Sequence, residues 1–478
     1  MENKGFVCNL LNQFGQVNEK LIAFSIYDGT EQKEITYHQF LDDILNAAGY
    51  FAENQILGKH IAIAGANSYQ WIVVLFAVMA TGNVAVPLNP ALPADMLLWQ
   101  CKQADIALVC YDDPEIADKT GCIPAVSLDL IHGEMTIDIP ALNIHEEDEP
   151  LIMMFTSGTT GKSKIVVLSA RNMCVSVDNI FTAYKEREIN QDTVVELMSL
   201  PLYHIGSLRV ILNRLACMGT LAVGRGAKYV FMDIPKLNPT HVGMVPVMAE
   251  SLARIIRKTS PDKMINYLGT NFKGIIAVGA SMKPSVAQYL LEQGIRIDVL
   301  YGMTESAGDG SWCVLDTEHI GTIGKPDGNI DFRIQDGEIL LRSDAVMKGY
   351  YKDPEETEKV IVDGWLHTGD MGYCDEDGYY YITGRKKNVI ILSNGENVNP
   401  EEIEGTLGDC EAIEECLVYS DGKGICADVY ASNRDHAADF IRAYNEDMPM
   451  YRQIYKVNYT EEPLEKTGSG KIKRKENK

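Results

Sequence analysis

Residues 151–168 read LIMMFTSGTTGKSKIVVL and place two short apolar runs on either side of a polar loop. The runs LIMMF and IVVL are typical of buried strands. The loop at 156–164 is rich in Thr, Ser, Gly and Lys, and its tail GKS is similar to the end of a P-loop. A P-loop requires a glycine at the position of Thr156, which excludes a conventional P-loop ATPase.

The composition of this loop nevertheless suits a polyphosphate. Its glycines let backbone N–H groups turn inward to form a concavity for an anion, and Lys162 and Lys164 add positive charge. Hydroxyl groups come from Thr156, Ser157, Thr159 and Thr160. Taken alone, the segment is also compatible with a solvated Ser/Thr/Gly loop, so its function depends on the rest of the chain.

Apolar helix and strand patterns alternate on both sides of the loop. Before it, helical patterns at 38–52 and 68–82 alternate with strand patterns at 60–66 and 104–113, and Ser68 is expected to open the second helix. After it, FKGIIAVGA and IRIDVLYG are two further strand patterns with a helix between them. This order predicts parallel sheets covered by helices. Ligands lie beyond the carboxyl ends of such strands, so the loops at 156–164, 279–282 and 301–306 are candidate sites.

The pattern changes near residue 321 to short strand-like runs separated by Gly and Asp turns. We therefore predict an α/β fold with a large N-terminal domain at 1–384, which contains mostly parallel sheets and a β-rich subdomain at about 321–384. The last segment, 389–478, combines one helical pattern, NPEEIEGTL, with strands and is predicted to be a small α+β domain.

Composition limits the partners and the location of the protein. The net charge of −24 disfavours nucleic acids and anionic lipids. The longest apolar run, 71–80, is about half as long as a membrane-spanning helix requires, and no signal peptide is expected. The eleven cysteines form no CxxC pair, so reduced thiols, no zinc site and a cytoplasmic location are predicted.

Seven motifs in a fixed order carry a resemblance that covers essentially the whole chain. They are FTSGTTGKSK, PLYHIGS, YGMTES, GTIGKP, GWLHTGD, GRKKNVIILSNGENVNPEEIE and PLEKTGSGKIKR. Together they resemble the adenylate-forming superfamily, which contains acyl-CoA synthetases, aryl-CoA ligases, nonribosomal peptide adenylation domains and luciferases. The loop at 156–164 is then similar to the pyrophosphate-gripping loop of that family.

The resemblance implies a role for each matching residue. Glu305 is expected near Mg²⁺, Tyr301 against adenine, Thr304 by the α-phosphate, and Asp370 and Arg385 at the ribose. The set implied for ATP and AMP comprises Thr156, Ser157, Gly158, Thr159, Thr160, Lys164, Gly279, Ala280, Ser281, Tyr301, Gly302, Thr304, Asp370, Ile382 and Arg385. Catalytic roles are implied for Thr304, Glu305, His204 and Lys471.

Lys471 is implied to bridge the acyl carboxylate and the α-phosphate, where a cation offsets the repulsion between two anions. Residues 385–388 are implied to be a hinge, with Lys387 at its centre, about which the last domain rotates between the two half-reactions. The implied reaction joins a carboxylic acid to ATP as acyl-AMP with release of pyrophosphate. A thiol, most simply that of CoA, then displaces AMP.

The acid is expected to be fatty or aryl. His204, Ile205, Gly302 and Gly308 match positions around the acyl pocket, and Gly302, Gly308 and Gly310 suggest room for an acyl chain near the carboxylate. An apolar Ile205 cannot pair with the ammonium group of an amino acid, so amino acids are disfavoured. Two alternatives remain: an enzyme that loads the phosphopantetheine of a carrier protein, and a non-catalytic binding relative.

Overall fold

The computed structural model describes residues 5–133, 137–142, 145–156, 163–186, 194–260, 263–392, 396–466 and 472–475. Five of the predicted site residues lie outside the described residues: Ser157, Gly158, Thr159, Thr160 and Lys471.

Helices occur throughout the chain, and side-chain capping hydrogen bonds open α2, α3, α5, α12 and α14. The hydroxyl of Ser68 accepts a hydrogen bond from the Trp71 amide at 3.2 Å and opens α3, as predicted. The helices are α1 (Phe6–Gln16), α2 (Tyr37–Glu53), α3 (Tyr69–Ala80), α4 (Ala94–Gln103), α5 (Pro114–Thr120), α6 (Ala170–Glu186), α7 (Ile205–Ala216), α8 (Val230–Leu237), α9 (Pro246–Lys258), α10 (Ile265–Leu268), α11 (Pro284–Glu292), α12 (Pro354–Val360), α13 (Pro400–Leu407) and α14 (Arg434–Asp447).

The strands before residue 321 form the two large sheets. They are β1 (Ile22–Tyr27), β2 (Gln32–Thr36), β3 (His60–Ala64), β4 (Val84–Leu88), β5 (Ile106–Tyr111), β6 (Ala125–Ser127), β7 (Pro150–Phe155), β8 (Ile165–Ser169), β9 (Val195–Leu197), β10 (Thr220–Val223), β11 (His241–Met244), β12 (Gly274–Ala277), β13 (Arg296–Gly302) and β14 (Gly310–Val314).

The later strands pair mostly in the antiparallel sense, and the parallel pair β25–β26 is an exception. They are β15 (Thr322–Gly324), β16 (Asp331–Gln335), β17 (Glu338–Arg342), β18 (Gly349–Tyr350), β19 (Ile361–Val362), β20 (Trp365–Cys374), β21 (Tyr380–Arg385), β22 (Ile390–Ile391), β23 (Asn397–Val398), β24 (Ile413–Ser420), β25 (Ile425–Ala431) and β26 (Ile454–Thr460).

Each large sheet is parallel in its interior and antiparallel at an edge. The first has the order β14-β13-β12-β11-β9-β10-β1-β2, with antiparallel pairing of β13 with β14 and of β1 with β2. The second has the order β18-β8-β7-β4-β3-β5-β6, with antiparallel pairing of β7 with β8 and of β8 with β18. The predicted parallel sheets are therefore present, and the polar loop at 156–164 connects two antiparallel neighbours.

The largest apolar cluster joins the two sheets. It contains Phe24 of β1 and Ile152 of β7, together with side chains of α1, α2, α3 and α7. All ten residues 71–80 of α3 are buried, as expected for a helix that is apolar on every side. Burying each large apolar side chain of this kind contributes about 1.5–3 kcal/mol, so this cluster stabilises the packing of the two sheets against each other.

A smaller sheet and a separate C-terminal core complete the fold. Strands β15, β21, β20, β17 and β16 form a sheet in that order, and β19 pairs with β20. Beyond it, β24, β25 and β26 form a three-stranded sheet covered by α13 and α14, whose buried apolar cluster contains residues from 390 to 454. The predicted α/β fold with a β-rich part and a small C-terminal unit is confirmed. No helix in the described part of the chain is long and apolar enough to cross a membrane.

Candidate functional site

Three predicted nucleotide-binding residues meet where β13, β20 and β21 approach one another. The Tyr301 hydroxyl donates a hydrogen bond to Asp370 Oδ2 at 2.8 Å, and Arg385 Nε lies 2.8 Å from Asp370 Oδ1. Asp370 and Arg385 are directly opposite each other in the antiparallel pair β20–β21. Both oxygens of one buried carboxylate are therefore oriented by neighbours that come from two different sheets.

Burial and charge keep Tyr301 protonated. Loss of solvent around the phenol, reinforced by the Asp370 carboxylate, raises the pKa of Tyr301 well above its ordinary value. The Tyr301 ring also belongs to a small apolar cluster in which the predicted residue Ile382 packs beside Phe332 and Tyr380. This arrangement places a flat apolar surface next to a hydrogen-bonding carboxylate, which is what a nucleoside needs.

The predicted loop at 279–281 lies at the same edge of the sheet. It follows β12, which pairs in parallel with β13, so the carboxyl ends of the two strands are neighbours. Gly279 has φ +84°, a left-handed conformation that favours glycine. Ala280 and Ser281 are exposed, so their backbone is accessible to a ligand at this edge.

The described ends of the polyphosphate loop are tied together. The Thr156 amide donates to the Lys164 carbonyl at 2.9 Å, and the Lys164 amide donates to Thr156 Oγ1 at 3.3 Å. These bonds close the base of the loop. The loop residues between 157 and 162 lie outside the described residues.

Tyr350 lies between two predicted phosphate-site residues. Lys164 Nζ is 4.7 Å from the centre of the Tyr350 ring, and the Tyr350 hydroxyl donates to Glu305 Oε1 at 2.9 Å. The Lys164 ammonium also lies 2.6 Å from Glu356 Oε1 on α12. Sequence reasoning missed Tyr350 and Glu356. Lys164 and Glu356 are 192 positions apart, so no local pattern could indicate their contact.

Glu305 suits a Mg²⁺ ion carried by a nucleotide. Thr304 and Glu305 form a single 3-10 turn after β13, and the Met347 amide donates to the Glu305 carbonyl at 2.8 Å, which fixes the backbone. The carboxylate is half-buried and offers hard oxygen donors. Mg²⁺ bound to substrate phosphates typically takes one or two such carboxylates, so the residue type and its exposure fit.

The predicted acyl-pocket residues surround the turn that follows β13. His204 is the N-cap residue of α7, and its ring packs against that of Tyr203 with ring centres 4.6 Å apart and the planes tilted by 54°. A Cβ atom added to Gly308 would lie 3.2 Å from Ile205 Cγ1, and one added to Gly302 would lie 2.2 Å from the Gly308 carbonyl oxygen. These contacts explain both glycines by close packing. Room for an acyl chain beside them stays a prediction.

A buried charged network supports this turn and was not predicted. Arg209 donates to the Gly308 carbonyl at 2.8 Å and to Asp309 Oδ1 at 2.7 Å, and Asn179 donates to Asp309 Oδ2 at 2.6 Å. Burial raises the pKa of Asp309, while Arg209 and Asn179 act in the opposite direction. Arg209 is among the largest fully buried side chains of the protein.

The predicted hinge is connected to the predicted ribose site. Lys386 donates to the buried Glu338 at 2.8 Å, and Glu338 also accepts from the Gly369 amide at 2.9 Å, next to Asp370. Lys387 is exposed in a single 3-10 turn between β21 and β22. The structure thus shows a short connection at the predicted hinge. Rotation about it stays a prediction.

The segment on either side of Lys471 is anchored to the C-terminal unit. Lys466 and Ile472 form a β-bridge, which brings the two sides of the segment together. Arg474 donates to both carboxylate oxygens of Glu404, at 2.7 and 2.6 Å. Lys471 itself lies outside the described residues.

Family models match most of the chain. A model for AMP-binding enzymes matches residues 13–351, and a model for the C-terminal domain of AMP-binding enzymes matches residues 387–478. The predicted resemblance to the adenylate-forming superfamily is confirmed by these matches.

Individual proteins are similar over nearly the full length. A 2-succinylbenzoate–CoA ligase of Bacillus cereus (strain Q1) is 29% identical over 474 residues, which cover 93% of this chain and 94% of that protein. The solved structure of o-succinylbenzoate coenzyme A synthetase (MenE) of Bacillus subtilis with ATP and a magnesium ion superposes with a TM-score of 0.84, 24% identity and 98% coverage of both chains. The same synthetase with its acyl-adenylate intermediate gives a TM-score of 0.83 at 24% identity, with 98% of this chain and 97% of that chain covered.

Proposed function

Because the chain belongs to the AMP-binding enzyme family, we propose that it is an ATP-dependent acid–CoA ligase that activates an aryl carboxylic acid as acyl-AMP. The observation that supports this most directly is the Tyr301–Asp370–Arg385 cluster, with hydrogen-bonding distances of 2.8 Å at the carboxyl edge of β13. A buried carboxylate flanked by an aromatic ring suits the ribose and base of a nucleotide.

The proposed first half-reaction takes place between two anions. The substrate carboxylate oxygen forms a bond to the α-phosphorus of ATP, and the bond to the bridging oxygen breaks as pyrophosphate leaves. Mg²⁺ would enter with ATP and neutralise part of the phosphate charge, with Glu305 as its protein ligand. Thr304 would contact the α-phosphate, and Lys471 would lie between the two reacting anions. Positioning and charge are sufficient for this chemistry, so no side-chain nucleophile is required.

The phosphate and adenosine sites are proposed from matched residues. Lys164 and the loop residues Thr156, Ser157, Gly158, Thr159 and Thr160 would hold the β- and γ-phosphates. The adenosine would contact Gly279, Ala280, Ser281, Tyr301, Gly302, Ile382, Asp370 and Arg385.

In the proposed second half-reaction the thiol of CoA attacks the acyl carbon and AMP leaves. We propose domains at 1–384 and 389–478, with a hinge at 385–388 centred on Lys387. Rotation about it would withdraw Lys471 and present another surface to the thiol. The short 3-10 turn at Lys386–Asn388 supports this division, because few residues need to change conformation there. A cytoplasmic location stays a prediction from the cysteine pattern.

The proposed acid is an aromatic carboxylic acid of the 2-succinylbenzoate type. The similar proteins reported above are named for that substrate, so the fatty acid considered from the sequence alone receives no support from them. In this chain the rings of His204 and Tyr203 pack against each other at a tilt of 54°, next to Ile205 in the sequence, and such aromatic side chains suit contact with an aromatic acid. CoA is preferred over a carrier protein because the relatives are CoA ligases.

Thioester formation over an acid panel tests this function. The purified protein would be incubated with MgATP, CoA and one acid at a time: 2-succinylbenzoate, benzoate, octanoate, palmitate or an amino acid. Mass spectrometry should detect an aryl-CoA thioester together with AMP, and little product from the other classes. A product only with a fatty acid would contradict the proposed substrate. Acyl-AMP that accumulates without thioester would favour the carrier-protein alternative.

The proposed ribose contact is tested by Asp370→Asn. Because hydrogen bonds to a charged group are worth about 1.5–3 kcal/mol each, we expect the KM for ATP to rise by about tenfold or more. Discrimination between ATP and 2′-deoxy-ATP should shrink at the same time, which a general loss of folding would not cause. The matched control is Asp377→Asn, at an exposed aspartate between β20 and β21, which should leave both quantities nearly unchanged. Unaltered discrimination in Asp370→Asn would contradict the assignment.

A further inference from the structure

Four side chains form a continuous chain of contacts across the proposed phosphate site. Glu356 Oε1 is 2.6 Å from Lys164 Nζ, Lys164 Nζ lies over the Tyr350 ring at 4.7 Å, and the Tyr350 hydroxyl is 2.9 Å from Glu305 Oε1. The chain therefore runs from the proposed polyphosphate lysine to the proposed Mg²⁺ ligand. Tyr350 and Glu356 at its centre and end have no role in the function proposed above.

The backbone holds Tyr350 rigidly between its two partners. Tyr350 lies on β18 and pairs with Val166 of β8, the strand that begins directly after Lys164. Its amide donates to the Thr357 hydroxyl at 2.8 Å, so α12 is tied to the same strand. Since the ring is buried, both its face and its hydroxyl have fixed positions.

From this geometry we propose that Tyr350 is a positioning residue for MgATP and that Glu356 is an internal counter-ion of Lys164. The triphosphate would replace Glu356 as the partner of the Lys164 ammonium. This inference rests on the proposed function. The hydroxyl of Tyr350 would orient the Glu305 carboxylate toward the metal, and the ring face would limit where the Lys164 ammonium can lie.

The negative charge of Glu356 determines the direction of its effect on ATP binding. The Lys164 ammonium has three N–H donors, so it can bind a phosphate while it keeps its hydrogen bond to the Glu356 carboxylate. The carboxylate would then lie close to the negatively charged triphosphate. The hydrogen bond from Lys164 and, to a smaller extent, the one from Lys359 lower the pKa of Glu356, so Glu356 is negatively charged at neutral pH. Whether Glu356 is displaced or only repels, its charge opposes ATP binding.

Tyr350 has the opposite effect, and only when Mg²⁺ is present. Its hydroxyl contacts Glu305 and not Lys164, so removal of the oxygen alters the metal ligand while the ring over the ammonium remains. Binding of ATP without metal should then be insensitive to the change. A purely structural tyrosine would influence both forms of the nucleotide alike.

Calorimetric titration with MgATP, and with ATP in the presence of EDTA, separates these effects. For Tyr350→Phe we expect MgATP to bind about three- to tenfold more weakly, with little change for metal-free ATP. For Glu356→Gln we expect both forms to bind about two- to fivefold more tightly, as removal of a partly exposed ion pair allows. Tyr351→Phe and Glu355→Gln are the matched controls, because each is the neighbouring residue of the same type and lies outside the contact chain.

The outcomes separate this inference from the function on which it rests. Wild-type protein that binds neither form of ATP would contradict the proposed function itself. Wild-type protein that binds MgATP, together with an equal loss of both forms in Tyr350→Phe, would overturn the role of Tyr350. Unchanged or weaker ATP binding in Glu356→Gln would overturn the counter-ion role, since it would mean that Glu356 has no effect or holds Lys164 ready for phosphate.

Discussion

Replacing Lys471 with alanine is expected to lower the rate of acyl-AMP formation by about 10²–10³-fold, the usual cost of removing one positioned electrostatic group from an active site. The physical reason is that the acid and the α-phosphate repel each other, and the lysine would lie between them. The second half-reaction should change little, because rotation of the C-terminal unit would remove Lys471 from the site before the thiol attacks. The two half-reactions are measured separately, with ATP plus acid and with supplied acyl-AMP plus CoA.

The matched control for Lys471 is Lys473→Ala. Lys473 is an exposed lysine of the same segment whose ammonium pairs with Glu465. Its removal should leave both half-reactions close to wild type. Equal losses in the two half-reactions of Lys471→Ala would contradict the proposed role and indicate damage to the C-terminal unit instead.

Replacing Arg209 with methionine is expected to lower the free energy of unfolding by about 3–5 kcal/mol, because it leaves the buried Asp309 carboxylate without its cation. The pair is almost completely shielded from water, with side-chain exposures of 2% and 0%. Urea denaturation followed by tryptophan fluorescence measures the change. The double variant Arg209→Met with Asp309→Leu should recover part of the loss, since no uncompensated charge remains.

An exposed arginine provides the comparison for this stability effect. Arg442 pairs with Asp439 on the surface of α14, and Arg442→Met should change the stability by less than about 0.5 kcal/mol. A loss of similar size in Arg442→Met and Arg209→Met would contradict the account. A double variant as unstable as Arg209→Met would also contradict the explanation by charge, because the lost stability would then come from lost packing.

The motifs identified three residues that the structure brings together, because each motif is a short local sequence within or at the end of a strand. Their role in nucleotide binding stays a prediction. Tyr301, Asp370 and Arg385 come from three strands, yet the structure joins them at hydrogen-bonding distances. The helix at 69–80 was also predictable, since a serine cap and a wholly apolar run define it locally. Local patterns of this kind identify a helix or strand and the residue at which it begins or ends.

The missed features depend on which elements become neighbours. Arg209 and Asp309 are 100 positions apart, and Tyr350 and Glu305 are 45 apart, so neither contact leaves a periodic signal. The antiparallel pairings of β2, β8 and β14 with their neighbours were equally hidden, because an apolar run indicates burial and not the direction of its partner. The close approach of the Gly308 carbonyl to Gly302, which leaves no space for a side chain, was hidden in the same way, while room for an acyl chain near Gly302 stays a prediction.

Exchange of labelled pyrophosphate into ATP, driven by 2-succinylbenzoate without CoA, is the most direct test of whether this chain is an aryl-acid adenylating enzyme. We expect label in ATP that depends on both the acid and Mg²⁺ and disappears in Lys471→Ala. Exchange that does not require the acid, or hydrolysis of ATP to ADP and phosphate in its place, would contradict this expectation.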